Sequence, residues 1–125
     1  MGTWGNSNYT YRQPISIPIF TGGGAASVDV LVTIPQDWDV FWDNIRSDMF
    51  DILIYPADGS QPISYQRQTG ANYSTRTLQL GIDAVSVDDQ SSTSLIYIYF
   101  GYAGQSSDPA SSVTISSAKT GYIWI

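Results

Sequence analysis

The chain contains no cysteine and no histidine, and it has no glutamate either, so all eleven acidic residues are aspartate. Without cysteine it forms no disulfide and has no thiol nucleophile, and without histidine the usual zinc sites and histidine-based triads are excluded. Aspartate favours turns and caps, whereas glutamate is a good helix former, so the composition points away from helices. These absences remove most familiar hydrolase chemistry, and we predict that the protein is not an enzyme.

Positive charge is also scarce, because only five Lys and Arg residues oppose the aspartates and leave a net charge of -6. Such a chain cannot assemble a basic face, which argues against nucleic acid and anionic membranes as partners. The first residues lack a basic start followed by an apolar run, and no stretch approaches the length of a membrane span. We therefore expect a chain without a signal peptide that is made in a cytoplasm.

What the sequence does contain is a series of short strand patterns separated by Gly, Pro, Asp and Ser clusters. Residues 15–20 and 28–34 alternate apolar with other side chains, and strand patterns recur to the end of the chain. This spacing predicts an all-β antiparallel sandwich over residues 14–125, preceded by an extended arm over residues 1–13. Proline cannot donate to a ladder, so Pro14 and Pro18 predict an edge strand or a bulge.

One segment changes period, because large apolar residues recur three or four apart between residues 37 and 49. This pattern predicts one short helix, which Asp37 would cap. The strand within 94–104 carries large side chains on both faces, with Tyr97 and Tyr99 opposite Ile98. We expect the helical segment to lie across the sheet and cover the two tyrosines.

The order of motifs resembles a bacterial domain of unknown function that is usually found on secreted or surface proteins. The resemblance implies a jelly-roll sandwich, related in shape to legume-lectin-like domains, with no assigned catalytic residue. It covers roughly the first four fifths of the chain. The matching residues are Trp4, Tyr11, Arg12, Ile15 and Ile17 at the start, Val28, Val30 and Val32, then Asp51, Ile52, Asp58 and Gly59, and finally Ile96, Tyr97, Tyr99 and Gly101.

As a short chain that starts at its own Met and lacks a signal peptide, the protein also resembles a tailed-phage virion component. The resemblance implies a capsid decoration or fibre-base protein, located in the virion, that binds copies of itself and a capsid or tail protein. Aromatic residues near the chain ends need a partner, since ends usually fray. The predicted interface residues are Trp4, Tyr9, Tyr11, Arg12, Tyr122 and Trp124.

The alternative function is a lectin-like carbohydrate-binding module, in which aromatic rings stack on sugars. Its candidate stacking residues are Trp38, Trp42, Tyr73 and Tyr102, although for the two tryptophans we favour packing in the core. We expect no cofactor. Asp88 and Asp89 offer oxygen ligands for calcium, but their spacing matches no twelve-residue calcium loop, and a solvated acidic turn explains them as well.

Overall fold

The computed structural model describes residues 8–18, 25–56, 59–88, 93–113, 115 and 119–123. Over these residues the chain forms strands with one short helix, and the predicted all-β class is confirmed. In this part of the chain no helix is long and apolar enough to cross a membrane. The elements are β1 (Tyr11–Pro18), β2 (Ala25–Thr33), α1 (Asp39–Asn44), β3 (Ile52–Pro56), β4 (Tyr65–Arg67), β5 (Gln79–Asp88), β6 (Thr93–Phe100) and β7 (Lys119–Ile123).

The seven strands of the described chain form one sheet in the order β3-β6-β1-β7-β2-β5-β4. Neighbours are antiparallel, as predicted, except for β2 and β7, which run parallel. Strand β7 joins the half β3-β6-β1 to the half β2-β5-β4. The two edges also meet, since the Tyr65 hydroxyl donates to the Ile52 carbonyl at 2.6 Å. The sheet therefore curves nearly closed around its core.

The core consists of the inward-facing residues of this curved sheet. Alternation along each strand sends every second side chain inward, and the residues at those positions are β-branched, leucine or aromatic. Each of them is at most 2% exposed. They are Ile15, Ile17, Val30, Val32, Ile52, Ile54, Leu80, Ile82, Ile96, Ile98 and Phe100.

Helix α1 closes one end of this core. Its first turn follows Trp38, which takes the N-cap position, and no side chain caps the helix. The predicted cap by Asp37 is therefore wrong. The helix is stabilised instead by burial, because Phe41 and Trp42 are at most 1% exposed. The Trp42 indole also donates to the Pro35 carbonyl at 2.8 Å, which fixes the chain entering the helix.

The helical segment covers a different face of β6 from the one we predicted. The rings of Trp38 and Phe41 lie 5.2 and 5.0 Å from the ring of Phe100, on the core side of the strand. Tyr97 and Tyr99 point to the other side. The prediction that this segment covers the two tyrosines is therefore wrong, because a strand's alternation places Phe100 and Tyr99 on opposite faces.

Strand β1 differs from its prediction in two ways. Residues 11–13 belong to the strand, so the predicted arm over residues 1–13 does not extend that far. The strand also lies inside the sheet, between β6 and β7, and not at an edge. Both prolines are paired with β6, whereas the short ladder with β7 includes only Ile15 and Ser16 and leaves Pro14 and Pro18 outside it.

Candidate protein-binding face

Strand β6 carries aromatic residues on the outer side of the sheet as well as in the core. Its outward-pointing residues include Tyr97 and Tyr99, which pair across the sheet with Tyr55 and Leu53 of β3. On the other side, Arg12 of β1 pairs with Tyr99. Directly paired residues share one face of a sheet, so these five side chains form a continuous outer surface.

Tyr122 extends this surface onto β7. It pairs with Ser16 of β1, which lies two positions beyond Pro14, the partner of Tyr97. Because residues two apart point the same way, Tyr122 faces the same side. We call this surface the outer tyrosine face, and it consists of Arg12, Leu53, Tyr55, Tyr97, Tyr99 and Tyr122.

The centre of the outer tyrosine face is packed like a second, smaller core. Tyr99 is fully buried, and the ring of Tyr55 lies 4.9 Å from it. Tyr9 and Tyr102 join this cluster from the segments before β1 and after β6, with their two rings 5.3 Å apart in an edge contact. The chain thus covers the middle of the face with its own tyrosines and holds their rings in fixed positions.

Arg12 lies over this aromatic surface. Its guanidinium carbon is 4.6 Å from the centre of the Tyr97 ring, and Nη1 donates to the Tyr99 hydroxyl at 3.2 Å. A guanidinium over a tyrosine ring is attracted by the negative face of the ring. The contacts with Tyr97 and Tyr99 hold this planar cation on the outer side of the sheet.

The rim of the face is more open than its centre. Tyr97 and Leu53 are half-buried, whereas Tyr122 is 46% exposed. Among the described residues, Val40 is the only other large apolar side chain with comparable exposure. An exposed tyrosine beside half-buried ones presents apolar ring surface together with hydroxyl groups, which suits protein contacts.

Negative charge is concentrated away from the outer tyrosine face. Four aspartates lie in the segment around α1, which packs on the core side of β6, whereas the six residues of the face include one cation and no anion. The six residues of the face thus add no negative charge of their own, and the nearest acidic group that the structure places beside the tyrosine cluster is the buried carboxylate of Asp51. The four aspartates are Asp37, Asp39, Asp43 and Asp48.

The hydroxyl of Tyr9 stays protonated at the edge of the face. Burial raises the pKa of Tyr9 above its usual 10.0, and the nearby carboxylate of Asp51 raises it further. The neutral hydroxyl donates to Gln105 Oε1 at 2.7 Å. Tyr9 thus ties the start of the described chain to the loop after β6, and it acts as a structural residue.

The predicted interface residues fall into three groups. Arg12 and Tyr122 lie on the outer tyrosine face, as a contact role requires. Tyr9 is only 2% exposed, and Tyr11 stacks on Phe100 at 5.1 Å on the core side, so both pack within the chain and cannot act as free anchors. Trp4 and Trp124 lie outside the described residues.

The predicted sugar-stacking residues do not form a platform. Trp38 is 6% exposed and Trp42 is 1% exposed, so their rings cannot stack on a ligand, and the core interpretation of both is correct. Tyr73 is half-buried, and its hydroxyl donates to the Trp42 carbonyl at 3.1 Å. Tyr102 is half-buried and packs on Tyr9. Trp42 and Tyr73 contact each other, with ring centres 6.2 Å apart, whereas Trp38 packs on Phe41 in the core and Tyr102 packs on Tyr9 on the other side of the sheet.

The calcium candidates are not tested by the structure. Asp88 ends β5, but its side chain lies outside the described part of the chain, and so does Asp89. Among the residues that the structure describes, no group of three acidic side chains is placed to hold a metal. Calcium binding by Asp88 and Asp89 therefore stays a prediction.

Sequence reasoning missed Leu53 and Tyr55 as parts of a binding face. The signal was present, since a five-residue strand with large side chains at every position must place some of them on its outer side. What the sequence does not specify is the register that aligns Leu53 and Tyr55 with Tyr99 and Tyr97.

No family model matches the sequence, and the comparisons with curated proteins and with solved structures gave no match either. The resemblance to a phage or bacterial surface domain therefore stays a prediction. The function has to be inferred from the fold and from the outer tyrosine face.

Proposed function

We propose that the protein is a non-enzymatic structural component of a virion, a capsid decoration or fibre-attachment protein, which acts through protein contacts made by the outer tyrosine face. One observation carries the contact role: Tyr97 and Tyr122 share one side of the sheet with Arg12, on a face that includes no anion. Tyrosine and arginine are the residue types that contribute most to protein interfaces. The virion setting rests on the likeness to a tailed-phage component noted in the sequence, a small Tyr-rich β protein.

The packing of the face favours binding without rearrangement. Tyr99 and Tyr55 are held by their mutual contact, and Arg12 is held by Tyr97 and Tyr99. Tyr99 and Tyr55 form the buried support of the face, and Arg12 and Tyr97 hold each other above it, so these two side chains lose less conformational entropy when a partner covers them.

The size of the face favours a weak contact that is repeated many times. Four strands spaced about 4.8 Å apart, taken over a length of at most about six residues of about 3.4 Å, give an upper limit of roughly 400 Å² for the flat area of this side. A stable interface buries about 800 Å² per partner. A single contact is thus too small to hold a tight dimer, whereas many copies on a lattice bind strongly together.

The partner we propose for the face in solution is a second copy of the chain. Two such faces can meet across a two-fold axis, since each presents tyrosine rings and a single cation, while the aspartates around α1 stay remote from the contact. In a virion the same face would bind neighbouring copies or the capsid or tail protein.

Sedimentation velocity over about 10 µM to about 1 mM tests this contact. We expect reversible self-association at the upper concentrations, because a millimolar contact is worth only about 4 kcal/mol. Tyr122→Ser and Tyr97→Ser should abolish it. Val40→Ser is the matched control, because Val40 is also exposed but lies on α1. A wild-type chain that stays monomeric throughout, or tyrosine variants that associate like the wild type, would refute the proposed contact.

The virion setting is tested separately by the protein content of purified particles. We expect purified virus particles to contain the protein in a copy number set by the symmetry of the capsid or tail. If particles purified from cells that express the protein do not contain it, the virion role is refuted, whereas the proposed self-association is unaffected.

A further inference from the structure

A second surface of the molecule has the features of a small-ligand site. A cleft of about 350 Å³ lies between the end of β2 and the loop that joins β4 to β5. That volume is at the lower end of the range for ligand pockets in proteins. Its polar walls come from Gln36, Thr69, Arg76, Thr77 and Gln79, and the buried side chains of Ile34 and Leu78 lie behind it.

Arg76 is held in this cleft in an unusual backbone conformation. Its φ is +53°, a value that costs a residue with a side chain about 1 to 2 kcal/mol. Its amide donates to the Tyr73 carbonyl at 3.1 Å, and Nη1 donates to Asp39 at 2.7 Å and to the Gln36 carbonyl at 3.2 Å. Backbone strain that is kept in place by several contacts marks a position where the side chain is needed.

The walls of the cleft present both hydrogen-bond donors and hydrogen-bond acceptors that are not used within the described part of the chain. Gln36 and Gln79 use their Nε2 groups on the Thr75 carbonyl and on Thr33 Oγ1, so each keeps its Oε1 as an acceptor. Arg76 uses Nη1 twice and Nη2 once, on Asp43, which leaves Nε–H and one Nη2–H without a partner among the described residues. A ligand that both donates and accepts hydrogen bonds fits such walls.

Charge excludes most other ligands. Arg76 lies between Asp39 and Asp43, so these three side chains together carry a net charge of -1. An anion would meet two carboxylates, and a cation would meet the guanidinium. The unused atoms therefore favour a neutral ligand with several hydroxyl groups.

We propose that this cleft binds a neutral polyhydroxylated ligand, one sugar residue of a glycan, with Gln36, Gln79 and Arg76 as its hydrogen-bonding residues. The site shares no residue with the outer tyrosine face, and it uses none of the aromatic rings predicted to stack on sugars. Its specificity comes from amide and guanidinium groups that the loop and α1 hold in place.

Two-dimensional NMR of the ¹⁵N-labelled full chain tests the proposal directly. The probes are glucose, galactose, mannose, N-acetylglucosamine and N-acetylgalactosamine, each raised to about 50 mM, since single-sugar sites are expected to bind in the millimolar range. We expect at least one of them to give saturable shifts at the amides of Gly70, Thr77 and Gln79. Choline chloride and sodium phosphate serve as the cationic and anionic probes.

Variants then separate the cleft from general effects. Gln79→Ala should weaken the sugar affinity about fivefold to tenfold, the loss expected for one hydrogen bond. Gln66→Ala is the matched control, because it removes the same side chain from β4 outside the cleft. No saturable shift with any sugar, cleft shifts only with choline or phosphate, or an affinity that Gln79→Ala leaves unchanged would each overturn the proposal.

Discussion

Replacing Asp51 by asparagine should lower the free energy of unfolding by about 2 to 4 kcal/mol. Asp51 is the one buried charged residue among those described, with no exposed surface. Its Oδ1 accepts the amide of Arg46 at 3.0 Å, and its Oδ2 accepts the amide of Tyr102 at 3.2 Å. One carboxylate thus joins the turn after α1 to the loop after β6, next to the tyrosine cluster.

The magnitude follows from the two bonds. Asparagine has a single acceptor oxygen, so one of the two amides would face an NH₂ group and lose its partner. An amide that loses a charged acceptor in a buried place costs about 1.5 to 3 kcal/mol, and the bond that remains is weakened because its acceptor is neutral. Removing the buried negative charge offsets part of this loss.

Equilibrium unfolding in urea, followed by tryptophan fluorescence, measures the change. A chain of this size is expected to unfold in two states, so the midpoint should fall while the slope stays constant. Asp43→Asn is the matched control, since the Asp43 side chain is 66% exposed, and it should leave the midpoint unchanged. A loss below about 1 kcal/mol for Asp51→Asn would refute the reasoning that this carboxylate holds the junction.

Two further predictions concern the tyrosines and the last strand. Burial raises the pKa of Tyr9 and of Tyr65, so above a pH of about 10 each of these two keeps in the folded state a proton that the unfolded chain loses. The free energy of unfolding should therefore fall by about 1.4 kcal/mol per pH unit for each of the two. Tyr65→Phe should make this decline shallower, and a decline equal to that of the wild type would contradict the assignment. Gly121→Ala should cost about 1 to 3 kcal/mol, because its new Cβ would lie 2.9 Å from both Ile15 Cγ2 and Val30 Cγ1. Thermal unfolding measures the effect, and Thr120→Ala is the control, because Thr120 precedes Gly121 in β7 and its side chain is exposed. Equal stability of the two variants would show that β7 is not tightly packed.

The sequence predicts the elements of this fold better than their arrangement. Strand alternation at Ile15, Val30 and Ile98 identifies the core, because period two and burial of one face follow from local geometry. The spacing of Trp38, Phe41 and Trp42 likewise predicts the helix. The position of β7 between β1 and β2 does not follow from any local pattern, since it depends on pairing between residues as distant as Ile15 and Ile123.

The candidate site was only partly predictable for the same reason. Arg12 and Tyr122 were singled out from the sequence as contact residues, and both lie on the outer tyrosine face. Tyr9 was also singled out, but it is buried, because the segment before β1 packs against Tyr102 in the loop after β6. Exposure of an aromatic residue near a chain end depends on contacts between distant segments, which composition and spacing do not specify.

The outer tyrosine face is open because the described part of the chain has only one helix with which to cover the sheet. Six residues of α1 suffice to close one end of the core over Phe100, and they cannot reach the outer side of β6. Among the described residues, Tyr9 and Tyr102 cover the middle of that side, and Tyr97 and Tyr122 lie at its rim. The cleft at Arg76 lies beside β2 and β5, and β2 is the neighbour of β7, so Thr33 of the cleft lies next to the strand that carries Tyr122. The two surfaces share no residue, so replacing Tyr97 on β6 should leave sugar binding at the cleft unchanged, and replacing Gln79 on β5 should leave self-association through the face unchanged.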